Sequence, residues 1–141
     1  YRGGTENLPA ILGMAAALEQ EIEWMDDAAD LREELDEAIT AAGGEVIAKS
    51  SPRIATIASY RMPGMSAQAQ LIQFDRAGIA VSAGSACSSG TLKVSHVLKA
   101  MGWDEASAGE VVRVSFGLET SSADIARFVD SWKAIAQAKA A

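Results

Sequence analysis

The sequence is poor in the residues that build covalent and metal frameworks. Cysteine occurs once, at position 87, and histidine once, at position 96. A single cysteine cannot close an internal disulfide, which fits a reducing compartment and leads us to expect a cytoplasmic protein. One cysteine and one histidine cannot supply the three or four protein ligands of a zinc site, so no metal is expected. No apolar run approaches the ~20 residues needed to cross a bilayer. No apolar signal-peptide core follows Tyr1-Arg2-Gly3-Gly4. The chain also opens without a methionine, which points to a start other than the natural one. No basic stripe interleaved with aromatic residues occurs, so nucleic-acid binding is not expected.

What is present fits one soluble domain. The chain has 141 residues, 49% of them apolar and 22% charged, enough length for a real core. The net charge of -7 is concentrated: between Glu19 and Glu37 there are ten acidic residues and one basic residue, Arg32. A solvated helical face explains that cluster more simply than a docking surface for a basic partner.

The apolar spacing predicts a helix beginning near Asn7, with Pro9 tolerated in its first turn. A second helical segment carries Leu31, Leu35, Ile39 and Ala42, with Asp26 or Asp27 as its cap, and ends at Gly43-Gly44. Strands are expected at Glu45 to Ala48, Arg53 to Tyr60, Ile79 to Val81 and Val111 to Phe116. Ser66 is expected to cap a helix reaching Gly78, and Ser95 a short helix ending at Gly102. A final helix from about Ser122 places Ile125, Phe128, Val129, Trp132 and Ile135 on one side. The expected fold class is α/β of the α+β kind: a small, mostly antiparallel sheet with helices on one face, preceded by a long N-terminal helical segment. Trp24, Trp103 and Trp132 are expected in the core or at a domain interface.

Residues 82–90 read Ser-Ala-Gly-Ser-Ala-Cys-Ser-Ser-Gly. No bulky neighbour shields Cys87, and the glycines at 84 and 90 leave the backbone free to move. A thiol so placed suits a nucleophile or a carrier of sulfur; composition alone leaves an inert exposed cysteine equally open. Arg113 stands mid-strand, opposite in orientation to Val112, Val114 and Phe116. It could hold a carboxylate by two parallel bonds; taken alone, an arginine on a wet sheet face is the simpler reading. Thr5 follows two glycines and precedes a helix, where free N–H groups and a hydroxyl can bind an anion or simply cap the helix. His96 could shuttle protons, but a first-turn helix residue with a structural hydrogen bond is the plainer reading.

Four stretches taken together carry a resemblance: Arg2-Gly3-Gly4-Thr5-Glu6-Asn7, residues 78–90 around Cys87, Ser95-His96-Val97-Leu98, and Val112-Arg113-Val114-Ser115-Phe116-Gly117. Their order and spacing resemble the C-terminal part of bacterial-type cysteine desulfurases, in the class V aminotransferase group of pyridoxal-phosphate enzymes. The chain departs from the pattern at Lys93, where relatives often carry proline, and at Val114, where they often carry phenylalanine. The resemblance implies the C-terminal domain of a fold-type I enzyme, with residues 1–24 as linker loop and interdomain helix and residues 25–141 as the small domain. Residues 82–94 would be the catalytic cysteine loop, and the cofactor-binding large domain would lie elsewhere. It implies removal of sulfur from L-cysteine, leaving alanine, with pyridoxal 5'-phosphate as electron sink. Cys87 would take the sulfur as a persulfide, and Arg113 would bind the substrate carboxylate. Thr5 would reach the cofactor phosphate of the opposite subunit of a homodimer. The acceptor would be an iron–sulfur scaffold or another sulfur-acceptor protein. The resemblance also implies a Ser-x-His-Lys-type lysine for the cofactor. None of Lys49, Lys93, Lys99, Lys133 and Lys139 has a histidine before it, so the chain is read as a fragment, inactive alone. A non-enzymatic sulfur carrier or thiol redox sensor using Cys87, and an enzyme of the same cofactor group with another substrate, stand as alternatives.

Overall fold

The computed structural model describes residues 3–20, 23–84 and 94–138. Six helices and four strands follow in the order α1 (Leu8–Leu18), α2 (Trp24–Ala41), β1 (Glu45–Val46), β2 (Ile57–Arg61), α3 (Ala67–Arg76), β3 (Ser82–Ala83), α4 (His96–Ala100), α5 (Glu105–Ala108), β4 (Val111–Ser115) and α6 (Ser122–Ala138). The strands form one sheet in the order β1-β2-β4-β3, and every pairing is antiparallel.

The alternation along β4 decides which face is core. Val112 is fully buried and Phe116 nearly so. They meet Leu35 and Ile39 of α2, Phe74 of α3, and Ile125, Phe128, Val129, Trp132 and Ile135 of α6 in one cluster. Phe74 and Phe128 stack with ring centroids 4.9 Å apart, and Trp132 meets the edge of Tyr60 at 6.4 Å. All five apolar positions expected on one side of the last helix are buried. Ser121 and Asp124 cap that helix reciprocally, each accepting the other's backbone N–H. The opposite face is covered only at one end, where Leu98 of α4 and Ala108 of α5 pack on Val111 and Ile47. The helix α5 was not anticipated from apolar spacing; Asp104 caps it by accepting from the Ser107 N–H at 2.9 Å.

Several boundaries differ from the expected ones, each for a local reason. Helix α2 starts at Trp24, before Asp26 and Asp27, which therefore sit in its first turn rather than at its cap. Negative charge is favourable there too, because the helix dipole is positive at that end. The expected strand at Arg53 begins only at Ile57. The carbonyls of Arg53 and Ile54 accept from Arg32 Nη1 at 3.2 and 2.9 Å instead of entering the ladder. The strand at Glu45 stops at Val46, and Ala48 turns away with φ of 55°. The strand expected at Ile79 to Val81 forms at Ser82–Ala83. Ile79 is still engaged in closing α3, its N–H donating to the Phe74 carbonyl at 2.9 Å.

Helix α1 begins where expected: Asn7 caps it and Pro9 lies in its first turn. It buries none of its residues; Leu8, Ile11, Leu12, Met14 and Leu18 are all exposed. Residues 21 and 22, and with them Ile22, lie outside the described residues.

Candidate active site

The half-covered sheet face forms a cleft of about 410 Å³. Its floor is the middle of β2 and β4, and its walls include Ile54, Ile57, Val97 and Met101, all exposed. Arg113 projects on this face, on the side expected from the alternation. Its guanidinium is exposed and makes no hydrogen bond or ion pair with any described residue. The register places Ser59 of β2 directly opposite Arg113 on one side and Ser82 of β3 on the other. Directly opposed residues of antiparallel strands present their side chains on the same face, with Cβ atoms about 5 Å apart.

The cleft's only charged lining residues are Arg113 and Arg53; no carboxylate lines it among the described residues. Arg53 is held in the wall by Asp36, whose Oδ2 accepts from Nη2 at 2.6 Å. The other oxygen of Asp36 accepts from the Tyr60 hydroxyl at 2.8 Å. Burial, and then the bond to Asp36, hold the Tyr60 phenol well above its ordinary range. This network ties α2, the segment before β2, and β2 itself into one rigid wall.

Gly84 and Ser95 also line the cleft. Cys87 itself, with Lys93 and the rest of 85–93, lies outside the described residues, as do Arg2 and Lys139. His96 opens α4 with an exposed side chain, and the structural hydrogen bond expected of it is not formed with any described residue. Trp103 is half-buried and lies 6.0 Å from Arg61; Trp132 is in the core and Trp24 is half-buried at the start of α2.

Thr5 lies in a different hollow, of about 290 Å³, between Gly3, Gly4 and the first turns of α1. It is exposed, and the helix is capped by Asn7, whose Oδ1 accepts from the Ala10 N–H at 3.2 Å. The capping alternative for Thr5 is therefore taken by another residue. The structure does not bring Thr5 and Arg113 into one hollow.

Pyridoxal phosphate needs an amine to hold its aldehyde carbon. Lys49 lies in a hollow with Asp36 and Glu37, Lys99 is paired with Glu105 at 3.3 Å, and Lys133 is exposed on α6. None lines the cleft, so the described residues do not themselves make a site for that group. Among the described residues no three His, Cys, Asp or Glu side chains gather as they would around a metal. No described helix is long and apolar enough to cross a membrane.

Sequence reasoning singled out Arg113 but not its cross-strand neighbours Ser59 and Ser82. Only strand register reveals them, and register depends on partners distant in sequence.

Comparison with known proteins adds an independent line. The profile of the aminotransferase class-V family matches residues 1–128. A cysteine desulfurase of Rhodobacter capsulatus is 37% identical over 131 residues, covering 89% of this chain and 34% of that protein. The cysteine desulfurase NifS of Azotobacter vinelandii is 32% identical over 134 residues, covering 91% of this chain and 33% of that protein. Among solved structures, the NifS-like protein from Rickettsia africae ESF-5 superposes with a TM-score of 0.77 at 30% identity, covering 95% of this chain and 36% of the other. The chain spans about a third of the length of these relatives.

Proposed function

The chain belongs to the class V aminotransferase family, and from that premise we propose that it is the small C-terminal domain of a pyridoxal-phosphate-dependent cysteine desulfurase. Residues 1–24 would link it to a large domain that supplies the cofactor lysine. The observation that carries the reading is the convergence on one cleft. Among the described residues Arg113 has no partner on its floor, and Gly84 and Ser95, which bracket the segment carrying Cys87, both line it. Three residues of chain separate Gly84 from position 87, a span of at most about 11 Å.

The proposed chemistry follows from these parts. Arg113 holds the carboxylate of L-cysteine and so fixes which end of the substrate faces the thiol. The Cys87 thiolate attacks the substrate sulfur. The S–S bond forms as the C–S bond breaks, the electron pair stays on the β-carbon, and that carbon takes a proton. Enzyme thiol plus L-cysteine gives enzyme persulfide plus L-alanine, with no external oxidant. The persulfide then passes to an iron–sulfur scaffold or another acceptor protein. The exposed hydroxyl of Thr5 beside two glycines suits a phosphate of the cofactor in the opposite subunit, which makes the complete enzyme a homodimer. A lone thiol that must stay reduced between turnovers suits the cytoplasm.

The test is made in the complete polypeptide loaded with cofactor. Cys87→Ser should abolish persulfide formation from L-cysteine while leaving the bound cofactor's absorbance intact. Full turnover by Cys87→Ser would remove position 87 from the reaction.

A further inference from the structure

The segment that carries Cys87 is tied to the described fold at its two ends, and the ties differ in kind. Its exit is seated by packing. Leu98 is buried in a cluster with Val111, Ile47 and Ala108, Val94 packs on that cluster, and Ser95 caps α4 by accepting the Leu98 N–H. Its entrance is seated lightly. The strand β3 pairs with β4 through Ser82 and Ala83 alone, and Ile79, Val81 and Ala83 are only half-buried against the core. Among the described residues, one side chain hydrogen-bonds to the backbone of 77–84. Arg127, exposed on α6, donates from Nη2 to the Ala77 and Gly78 carbonyl oxygens at 2.6 and 3.2 Å. Those carbonyls lie past the last turn of α3 and have no helical N–H of their own, so a charged donor shared between them fixes the turn to α6. Helix α6 is itself seated by five buried side chains.

We propose that Arg127 is a positioning residue for sulfur transfer: it sets the point from which the chain enters the Cys87 segment. This rests on the reading of Cys87 given above. Arg127 does not line the cleft, so it acts through the turn, β3 and Gly84. Arg113 stands apart from this dependence. Its strand β4 is paired with β2 at five positions, from Ile57↔Ser115 to Arg61↔Val111, and keeps its place whether or not the turn is held. Loss of Arg127 should therefore separate two steps: substrate binding stays, and attack by the thiolate slows. A misplacement of about 1 Å at the reacting atoms can cost on the order of a hundredfold, and a displacement passed on through β3 and Gly84 should cost less, about fivefold to tenfold.

The experiment uses the complete, cofactor-loaded enzyme with Arg127→Ala, Arg127→Lys and, as a control, Lys133→Ala, whose lysine is exposed further along α6. Two quantities are read: the single-turnover rate of Cys87 persulfide formation and the dissociation constant for L-alanine, both at a temperature where every variant is folded. Arg127→Ala should slow persulfide formation about fivefold to tenfold with the L-alanine constant within about twofold of the parent, a split that general loss of stability does not give. Arg127→Lys keeps a charged donor and should restore most of the rate; Lys133→Ala should match the parent in both. Persulfide formation at the parental rate by Arg127→Ala, or a slowing matched by an equal weakening of L-alanine binding, overturns the positioning role. So does an equal slowing by Lys133→Ala, which would be an effect of lost charge alone. Cys87→Ser separates this proposal from the reading beneath it. If that variant transfers no sulfur while Arg127→Ala transfers it at the parental rate, only the role of Arg127 falls; if it turns over fully, both fall.

Discussion

Arg127 Nη2 donates to the carbonyl oxygen of Ala77 at 2.6 Å, joining residues fifty apart in sequence. The same nitrogen reaches the Gly78 carbonyl at 3.2 Å. Both carbonyls lie just past the end of α3, where no further helical N–H is available. Gly78 has φ of +68°, and a Cβ there would come within 2.9 Å of Arg127 Nη2. The clamp and the left-handed turn together send residues 79–81 toward β3. That strand has only two paired residues, and one of them sets Ser82 against Arg113. A strand so short cannot hold its own register, so its placement depends on the turn that precedes it.

Arg127→Ala should therefore cost about 1 kcal/mol, since the bonds are charge-assisted but exposed. Gly78→Ala should cost about 1–2 kcal/mol from the left-handed backbone alone, plus whatever displacement of the guanidinium adds. Because the new methyl and the guanidinium compete for one space, the double variant should cost less than the two single changes together. Urea unfolding of the three variants measures this. Strict additivity would show that Gly78 and Arg127 do not share the turn.

Tyr60 makes an alkaline prediction. Its phenol is fully buried against Asp36 and Trp132, and burial followed by the Asp36 bond raises its pKa. The folded protein keeps this proton where the unfolded chain gives it up, above pH about 10. Stability from this group is therefore complete below that pH and falls as pH rises, by about 1.4 kcal/mol per unit. Tyr60→Phe leaves the Asp36 oxygen without that donor and should be less stable by about 1–2 kcal/mol at neutral pH. Its deficit should shrink steadily above pH 10. A gap between the two proteins that stays constant through that range, in urea unfolding, would mean the phenol ionises equally in both states.

Much of this was legible in the sequence, and the exceptions have physical causes. Helix α6 announced itself because Ile125, Phe128, Val129, Trp132 and Ile135 all turn into one core, shared with α2, α3 and the sheet. The side of β4 that carries Arg113 followed from simple alternation. The start of β2 did not, because Arg32, on another element, takes the carbonyls of Arg53 and Ile54. The start of β3 did not, because Arg127 and Gly78 hold the chain back from the ladder. Arg113 was conspicuous as the one charge in an apolar strand. Ser59 and Ser82 were invisible because a serine in a strand says nothing until its cross-strand neighbour is known.

The remaining prediction concerns the chain by itself. A cofactor aldehyde needs an uncharged amine held against the substrate site. Lys99 is tied to Glu105, and Lys49 and Lys133 are exposed and line no part of the Arg113 cleft. Incubation of the isolated chain with pyridoxal phosphate, followed by borohydride reduction, should give only scattered, substoichiometric labelling of surface lysines. The same sample should release no alanine from L-cysteine. Adding a separately expressed large domain should create one reduced lysine on that partner and restore alanine release, if the two halves pair. Stoichiometric labelling of a single lysine of this chain, together with alanine production, would mean that it carries a complete active site and that the division of labour argued above is wrong.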